Sequence, residues 1–253
     1  MTLEIIPICM GEITGLPQPM ITFPFGFGKM HTTKSLVFVI KGGEHPIVVD
    51  TGPCNPEWTK KYHGYELIQK ESEVPEVAFR SAGINLEDVK IVINTHLHWD
   101  HCFNNNLFTN AEFYVQKREL NYAMDPIEIH RPAYEKIPGI IPPWVKVWDR
   151  IKIVDGDEEI APNISVVLLP GHSPGSQGVL VSTGKNKYLL AGDCVDTYEN
   201  WHGNDMVSHI PSGVHTDLIE FENSFKNIEK IERAGYEVIP SHDNEVLVRG
   251  VLR

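Results

Sequence analysis

Short apolar, β-branched runs recur along the chain, each bounded by turn residues. Val89-Lys90-Ile91-Val92-Ile93, Ile164-Ser165-Val166-Val167-Leu168-Leu169, Lys187-Tyr188-Leu189-Leu190-Ala191 and Glu237-Val238-Ile239-Pro240 are such runs. Their length, their Val and Ile content and the Gly, Pro, Asn or Ser that follows predict strands. Residues 36–40 and 46–49 predict a hairpin turned by Lys41-Gly42-Gly43-Glu44. Helical signals stand in two places. Over 72–82, Pro75 suits a first turn and Gly83 can close the helix in a left-handed cap. Over 217–234, Leu218, Phe221, Phe225, Ile228 and Ile231 recur at intervals of three and four, with Thr216 or Asp217 to cap the start and Gly235 to stop it. That stripe predicts a face packed on a core.

Two segments break the pattern. Residues 15–30 hold Pro17, Pro19, Met20, Phe23, Pro24, Phe25, Gly26, Phe27 and Gly28. Proline and glycine rule out regular structure there, and the aromatics need covering. A lid or an apolar pocket wall is one expectation; a dimer contact or a tucked surface loop is the other. Residues 125–148 set Pro126, Pro132, Pro138, Pro142 and Pro143 among Tyr134, Trp144 and Trp148. Short helices that wall a site or pack on a partner subunit are expected.

Composition narrows the class. A chain of 253 residues can bury a large core, and no internal repeat divides it, so a single domain over 1–253 is expected. Its 22 Lys and Arg stand against 34 Asp and Glu, a formal net charge of −12, with no basic block. Nucleic acid would be repelled. Cys9, Cys54, Cys102 and Cys194 show no Cys-x-x-Cys spacing, so buried free thiols are expected and a disulfide framework is not. Met1-Thr2-Leu3-Glu4-Ile5 has no basic region before an apolar core, and no stretch approaches membrane-spanning length. The expectation is a cytoplasmic monomer or homodimer with a small-molecule substrate and no membrane partner.

Chemistry enters where the predicted strands end. The first run leads into Thr95-His96-Leu97-His98-Trp99-Asp100-His101, four metal-competent side chains within six residues. The later runs end in Pro170-Gly171-His172, Gly192-Asp193 and Ser241-His242-Asp243. Imidazole and carboxylate are the usual ligands of zinc and related first-row metals. One His-x-His carries little weight; each further ligand at a fixed offset multiplies against chance.

The order His96, His98, Asp100, His101, His172, Asp193, His242 resembles the metallo-β-lactamase superfamily. The resemblance implies an α/β fold, an αββα sandwich of two mixed sheets packed face to face with helices outside and metals at one edge. It also implies that His96, His98 and His172 bind a first metal, that Asp100, His101 and His242 bind a second, and that Asp193 bridges them. Further segments are similar to the N-acyl homoserine lactonase and pyridoxolactonase branch: Val49-Asp50-Thr51-Gly52, Ala82-Gly83-Ile84, the insert from Tyr134 to Ile140, Pro211 to Asp217 and Pro240 to Asp243. Two departures stand out. Asp196 occupies the place, three residues after the bridging aspartate, where homoserine lactonases commonly carry a substrate-contacting tyrosine, and Tyr198 is the candidate to replace it. Cys102-Phe103-Asn104-Asn105-Asn106 stands where small residues are common.

The implied reaction is attack of a metal-bridging hydroxide on a lactone carbonyl, since a divalent metal lowers the pKa of water from 15.7 to about 7. Two divalent ions are expected, zinc first, with manganese, iron and cobalt as alternatives. Asp193, Asp100 and Tyr198 are the expected catalytic residues, with Asp193 bridging and moving a proton. Asp50 and Asp243 are candidates to fix the histidines from behind. Trp201, His202, His209 and His215 lie where a substrate could be contacted; His31, His45, His63 and His130 have no motif around them. A glyoxalase II-like thioesterase shares the ligand set, and a cyclic amide hydrolase is a further alternative. An iron-dependent sulfur dioxygenase would use fewer ligands at one metal, so the complete second set with Asp100 and His242 argues for hydrolysis, and diiron flavoprotein reductases usually carry glutamate in place of His98.

Overall fold

A computed structural model describes residues 2–253. The strands form two sheets. One is seven-stranded, in spatial order β4 (Glu66–Ile68), β1 (Glu4–Pro17), β2 (Met30–Lys41), β3 (Ile47–Val49), β5 (Ile91–Ile93), β6 (Glu112–Gln116) and β7 (Ile151–Val154). The other is five-stranded, in order β12 (Tyr236–Ile239), β11 (Lys187–Leu190), β10 (Gln177–Ser182), β9 (Ile164–Leu168) and β8 (Glu158–Ala161). Both are mixed. Pairing is antiparallel among β4, β1, β2 and β3, and parallel from β3 through β5 and β6 to β7. In the second sheet only β11 and β12 run parallel.

The two-residue side-chain period of a strand accounts for the layering. In β2, Leu36, Phe38 and Ile40 face the second sheet, where they meet Val166, Val179, Val181 and Leu190. Val37 and Val39, one residue out of phase, face the opposite way and pack with Ala78 and Phe79 of helix Pro75–Ser81. The second sheet repeats the arrangement: Tyr188 and Leu190 point inward, while Leu189, Val167 and Val238 meet Phe221, Phe225 and Ile228 of helix Leu218–Arg233. The result is the expected αββα sandwich.

The predicted strands hold with ends shifted by a residue or two, except that the strand expected over 36–40 begins at Met30. The 217–234 helix runs from Leu218 to Arg233, with the Asp217 side chain accepting from the amides of Ile219 and Glu220. The 72–82 helix is shorter, Pro75–Ser81, and Gly83 closes it at φ 71°. β1 is the element the pattern hides: Pro7, Gly11, Gly15 and Pro17 interrupt its alternation, and its register against β2 shifts between Cys9 and Gly11 and again between Ile13 and Leu16. The strand consequently reaches into the segment 15–30, only the middle of which is irregular. Phe27 stays 77% exposed there and Phe25 is half-buried, so the aromatics are not all covered as expected.

Direction decides where the chemistry lies. β3 and β5 run parallel, so Asp50 and Thr95-His96 leave the same edge of the first sheet. β11 and β12 run parallel, and β9 shares their direction through β10, so His172, Asp193 and His242 all leave one edge of the second. No helix among the described residues is long and apolar enough to cross a membrane.

Candidate metal centre

The structure brings all seven expected ligands together. His96 Nε2, His172 Nε2 and His98 Nδ1 converge, with His172 Nε2 3.2 Å from His96 and 3.0 Å from His98. Nitrogens held tetrahedrally about 2.0 Å from a zinc ion stand roughly 3.3 Å apart. Asp100, His101 and His242 form a second group, and His96, His101 and Asp193 a third that joins them. Asp193 stands between. Its Oδ2 is 3.5 Å from His172 Nε2 and 3.9 Å from His96 Nε2, while its Oδ1 is 3.2 Å from both His101 Nε2 and His242 Nε2.

The donor set fits divalent cations better than it fits hydrogen bonding. Three ring nitrogens aimed at one point can share at most one proton pairwise, whereas one cation satisfies all three lone pairs. His101 Nε2 is buried without a hydrogen-bond partner, as an atom reserved for a metal would be. Burial, reinforced by the neighbouring imidazoles, holds His96 and His98 well below the usual histidine pKa, so both are neutral and ready to ligate. At His101 and His242 burial acts the same way but is outweighed, mainly by the Asp193 carboxylate; His101 is raised well above its ordinary value and His242 to about 9. Asp193 itself is buried, yet His101, His242 and His172 hold its carboxyl well below the usual range.

Three of the candidate ligands, His101, His242 and Asp193, are fixed from behind. Asp50 accepts from the Thr95 amide and hydroxyl, both at 2.7 Å, and from His101 Nδ1 at 2.8 Å, which turns His101 Nε2 toward the centre. His242 Nδ1 donates to the Lys34 carbonyl at 2.6 Å, and Ser241 Oγ donates to Asp193 Oδ1 at 2.8 Å. Glu119 is the partner that sequence reasoning missed. Fully buried in the first turn of helix Lys117–Met124, it accepts from the Leu97 amide at 2.9 Å, the Ser173 hydroxyl at 2.5 Å and the Gly175 amide at 3.2 Å. One carboxylate thus fastens the loop of His96 and His98 to the loop of His172. In sequence it sits in Lys117-Arg118-Glu119, a stretch that looks like an exposed face.

Two expectations are corrected. Tyr198 does not line the cavity beside the centre: its hydroxyl accepts from Arg249 Nη1 at 2.9 Å and its ring stacks on His202. Thr197 caps a short helix that begins at Tyr198, and this turns the side chain away. Asp243 touches no ligand histidine ring; it caps helix Asn244–Arg249 through the Glu245 amide and accepts from the Tyr198 amide. All four cysteines are free thiols, and burial pushes those of Cys54, Cys102 and Cys194 up, leaving them protonated.

A cavity of about 570 Å³ opens on the centre, with His98, Asp100, His172, Asp193 and His242 in its wall. Ile13, Leu16, Met20 and Ile21 form an apolar side. Asp196 also borders it, buried, with Oδ1 lacking a partner; burial and then the Asp193 charge raise its carboxyl well above the ordinary range. His63 and His130, which no motif marked, reach the cavity, as does His215. His63 Nε2 is 2.8 Å from the buried Glu135, and its ring stacks at 4.2 Å on Trp99 of the ligand loop. The segment 125–148 walls the site through Ile129, His130, Pro132 and Ala133, as expected.

Comparison with known proteins agrees with this geometry. The sequence profile of the metallo-β-lactamase superfamily matches residues 32–242. An N-acyl homoserine lactonase of Bacillus thuringiensis is 30% identical over 185 residues, 69% of each chain. The N-acyl homoserine lactonase AttM of Azorhizobium caulinodans is 29% identical over 242 residues, 90% of this chain and 82% of its own. A solved N-acyl homoserine lactone hydrolase, with N-hexanoyl-L-homoserine bound at its catalytic metal center, superposes with a TM-score of 0.80 at 24% identity, covering 98% of this chain and 97% of that one. The chain is a metal-dependent hydrolase and belongs to the metallo-β-lactamase superfamily.

Proposed function

We propose that the protein opens a lactone ring, that of an N-acyl homoserine lactone or a similar cyclic ester. The carrying observation is the position of Asp193, whose two oxygens face two separate imidazole groups at the floor of a cavity sized for a small molecule. When bound, two divalent cations, zinc in our assignment, activate water at neutral pH and polarise the ester carbonyl. His96, His98 and His172 would hold one cation and Asp100, His101 and His242 the other, with Asp193 shared.

The remaining work belongs to the chain. Asp193 is suited to carry a proton from the attacking water to the leaving ring oxygen, because Ser241 fixes Oδ1 while Oδ2 stays clear of that bond. Asp100, the least buried of the ligands, borders the cavity where the opened ring would depart. Ile13, Leu16, Ile21 and Val214 supply an apolar wall that suits an acyl arm and excludes water around it.

Metal analysis of the purified protein, joined to hydrolysis assays over acyl homoserine lactones, simple lactones, cyclic amides and S-lactoylglutathione, tests this reading. Two metals per chain with lactone opening are expected. A fully metallated protein that opened no lactone but cleaved the thioester would replace the lactonase reading with a thioesterase.

A further inference from the structure

We propose that Tyr65 is the phenol that donates a hydrogen bond to the substrate, at the carbonyl oxygen of its acyl arm. The inference rests on the lactonase reading above. The position that commonly carries a tyrosine in lactonases holds Asp196 here, and Tyr198 is bound to Arg249 outside the cavity. Other hydroxyls in the cavity wall are committed to backbone carbonyls: Thr33 to His242, Ser212 to Met20 and Thr216 to Gly171, each at 3.1 Å.

Tyr65 is differently placed. It precedes β4 directly, lines the cavity and packs in the cluster of Ile13, Leu16, Ile21 and Trp99. Trp99 lies between the ligands His98 and Asp100, so the Tyr65 ring adjoins both the metal-binding loop and the apolar wall. Its hydroxyl donates only to the thioether of Met20, at 3.8 Å. Thioether sulfur is a weak acceptor, and a carbonyl oxygen displaces it readily. Burial, and then the Asp100 charge, raise the phenol above its ordinary pKa, which keeps the proton in place for donation. A hydroxyl at the junction of metal edge and apolar wall meets a substrate where the acyl arm joins the ring. Tyr62 also borders the cavity, but it packs at 4.6 Å against Trp58, outside the ligand loop.

The test is Tyr65→Phe in the metal-loaded protein, a change that removes one oxygen and keeps the ring packing. Kinetics are compared on an N-acyl homoserine lactone and on unsubstituted γ-butyrolactone, with metal content and near-ultraviolet circular dichroism as controls. A roughly tenfold loss of kcat/KM on the acylated ring, carried by KM, with less than about twofold on the bare ring, supports the proposal. Equal losses on both substrates, or no loss on either, overturn it. Should the parent protein open neither ring, the lactonase reading fails by itself. Calorimetric titration with ring-opened N-hexanoyl homoserine then decides for Tyr65: about tenfold weaker binding by the variant supports the donor role, and unchanged binding overturns it.

Discussion

A Cβ on Gly175 would stand 2.1 Å from the backbone nitrogen of Glu119. The loop that carries His172 therefore rests directly on the first turn of helix Lys117–Met124, at a spot open only to a residue without a side chain. Gly175→Ala must push one of them aside, an overpacking cost of about 1–3 kcal/mol. The thermal midpoint should fall by about 2–10 °C, with a loss of bound metal. A calorimetric scan and metal analysis check both, and an unchanged midpoint with full metal would mean that the loop yields freely.

Glu119→Gln probes the same junction without changing its size. The amide oxygen can still accept from the Leu97 amide, but the new NH₂ group opposes the donors on Ser173 and Gly175. Loosening a partner behind the ligands typically weakens metal affinity about 10–100-fold. Titration against a competing chelator should show that loss at the His96–His98–His172 group. Affinity equal to the parent's would reduce Glu119 to a packing residue.

Asp50→Asn removes the charge that His101 Nδ1 meets at 2.8 Å. Without it His101 loses the partner that directs Nε2 inward, and the second cation should bind about 10–100-fold more weakly. Metal stoichiometry should fall toward one per chain after dialysis, with hydrolysis falling alongside it. Two tightly held metals in this variant would refute the orienting role.

Chelation should destabilise the protein as a whole. The ligands leave strands of both sheets, so a cation bound at 100 times its Kd adds about 2.7 kcal/mol to folding. The expected result is a lower melting temperature in a strong chelator, recovered when zinc is returned. An identical melt in both conditions would place metal binding outside the folding equilibrium.

Tyr198→Phe removes only the bond from Arg249, so a loss of about 0.5–1.5 kcal/mol in stability is expected, with turnover close to the parent's. A drop in kcat beyond about tenfold, with stability intact, would restore Tyr198 to the reaction.

The cluster of candidate ligands was legible because its residues follow strand ends at fixed offsets, and a strand run with its turn is a local pattern. His96 to His101 needed no tertiary information. The sandwich followed from resemblance and is visible afterwards in the alternation of Leu36, Phe38 and Ile40 against Val37 and Val39. What stayed hidden depended on contacts between distant segments. Glu119 meets Ser173 across 54 positions, and His242 meets the Lys34 carbonyl across 208. Tyr198 was misjudged because its distance along the chain from Asp193 says nothing about a helix start at Thr197 that rotates it outward. β1 was missed because its prolines, glycines and register shifts break the alternation by which strands are read.

Asp50 holds its backbone at φ 60°, in the left-handed region, while sunk in the protein with its carboxylate fully engaged. A side chain in that region carries a strain of about 1–3 kcal/mol, which glycine would not. Exchange for glycine would release that strain but leave the Thr95 amide, the Thr95 hydroxyl and His101 Nδ1 buried without their acceptor, at about 1–3 kcal/mol each. The bonds that Asp50 accepts therefore outweigh its own strain, so thermostability campaigns on this chain should leave this left-handed residue in place.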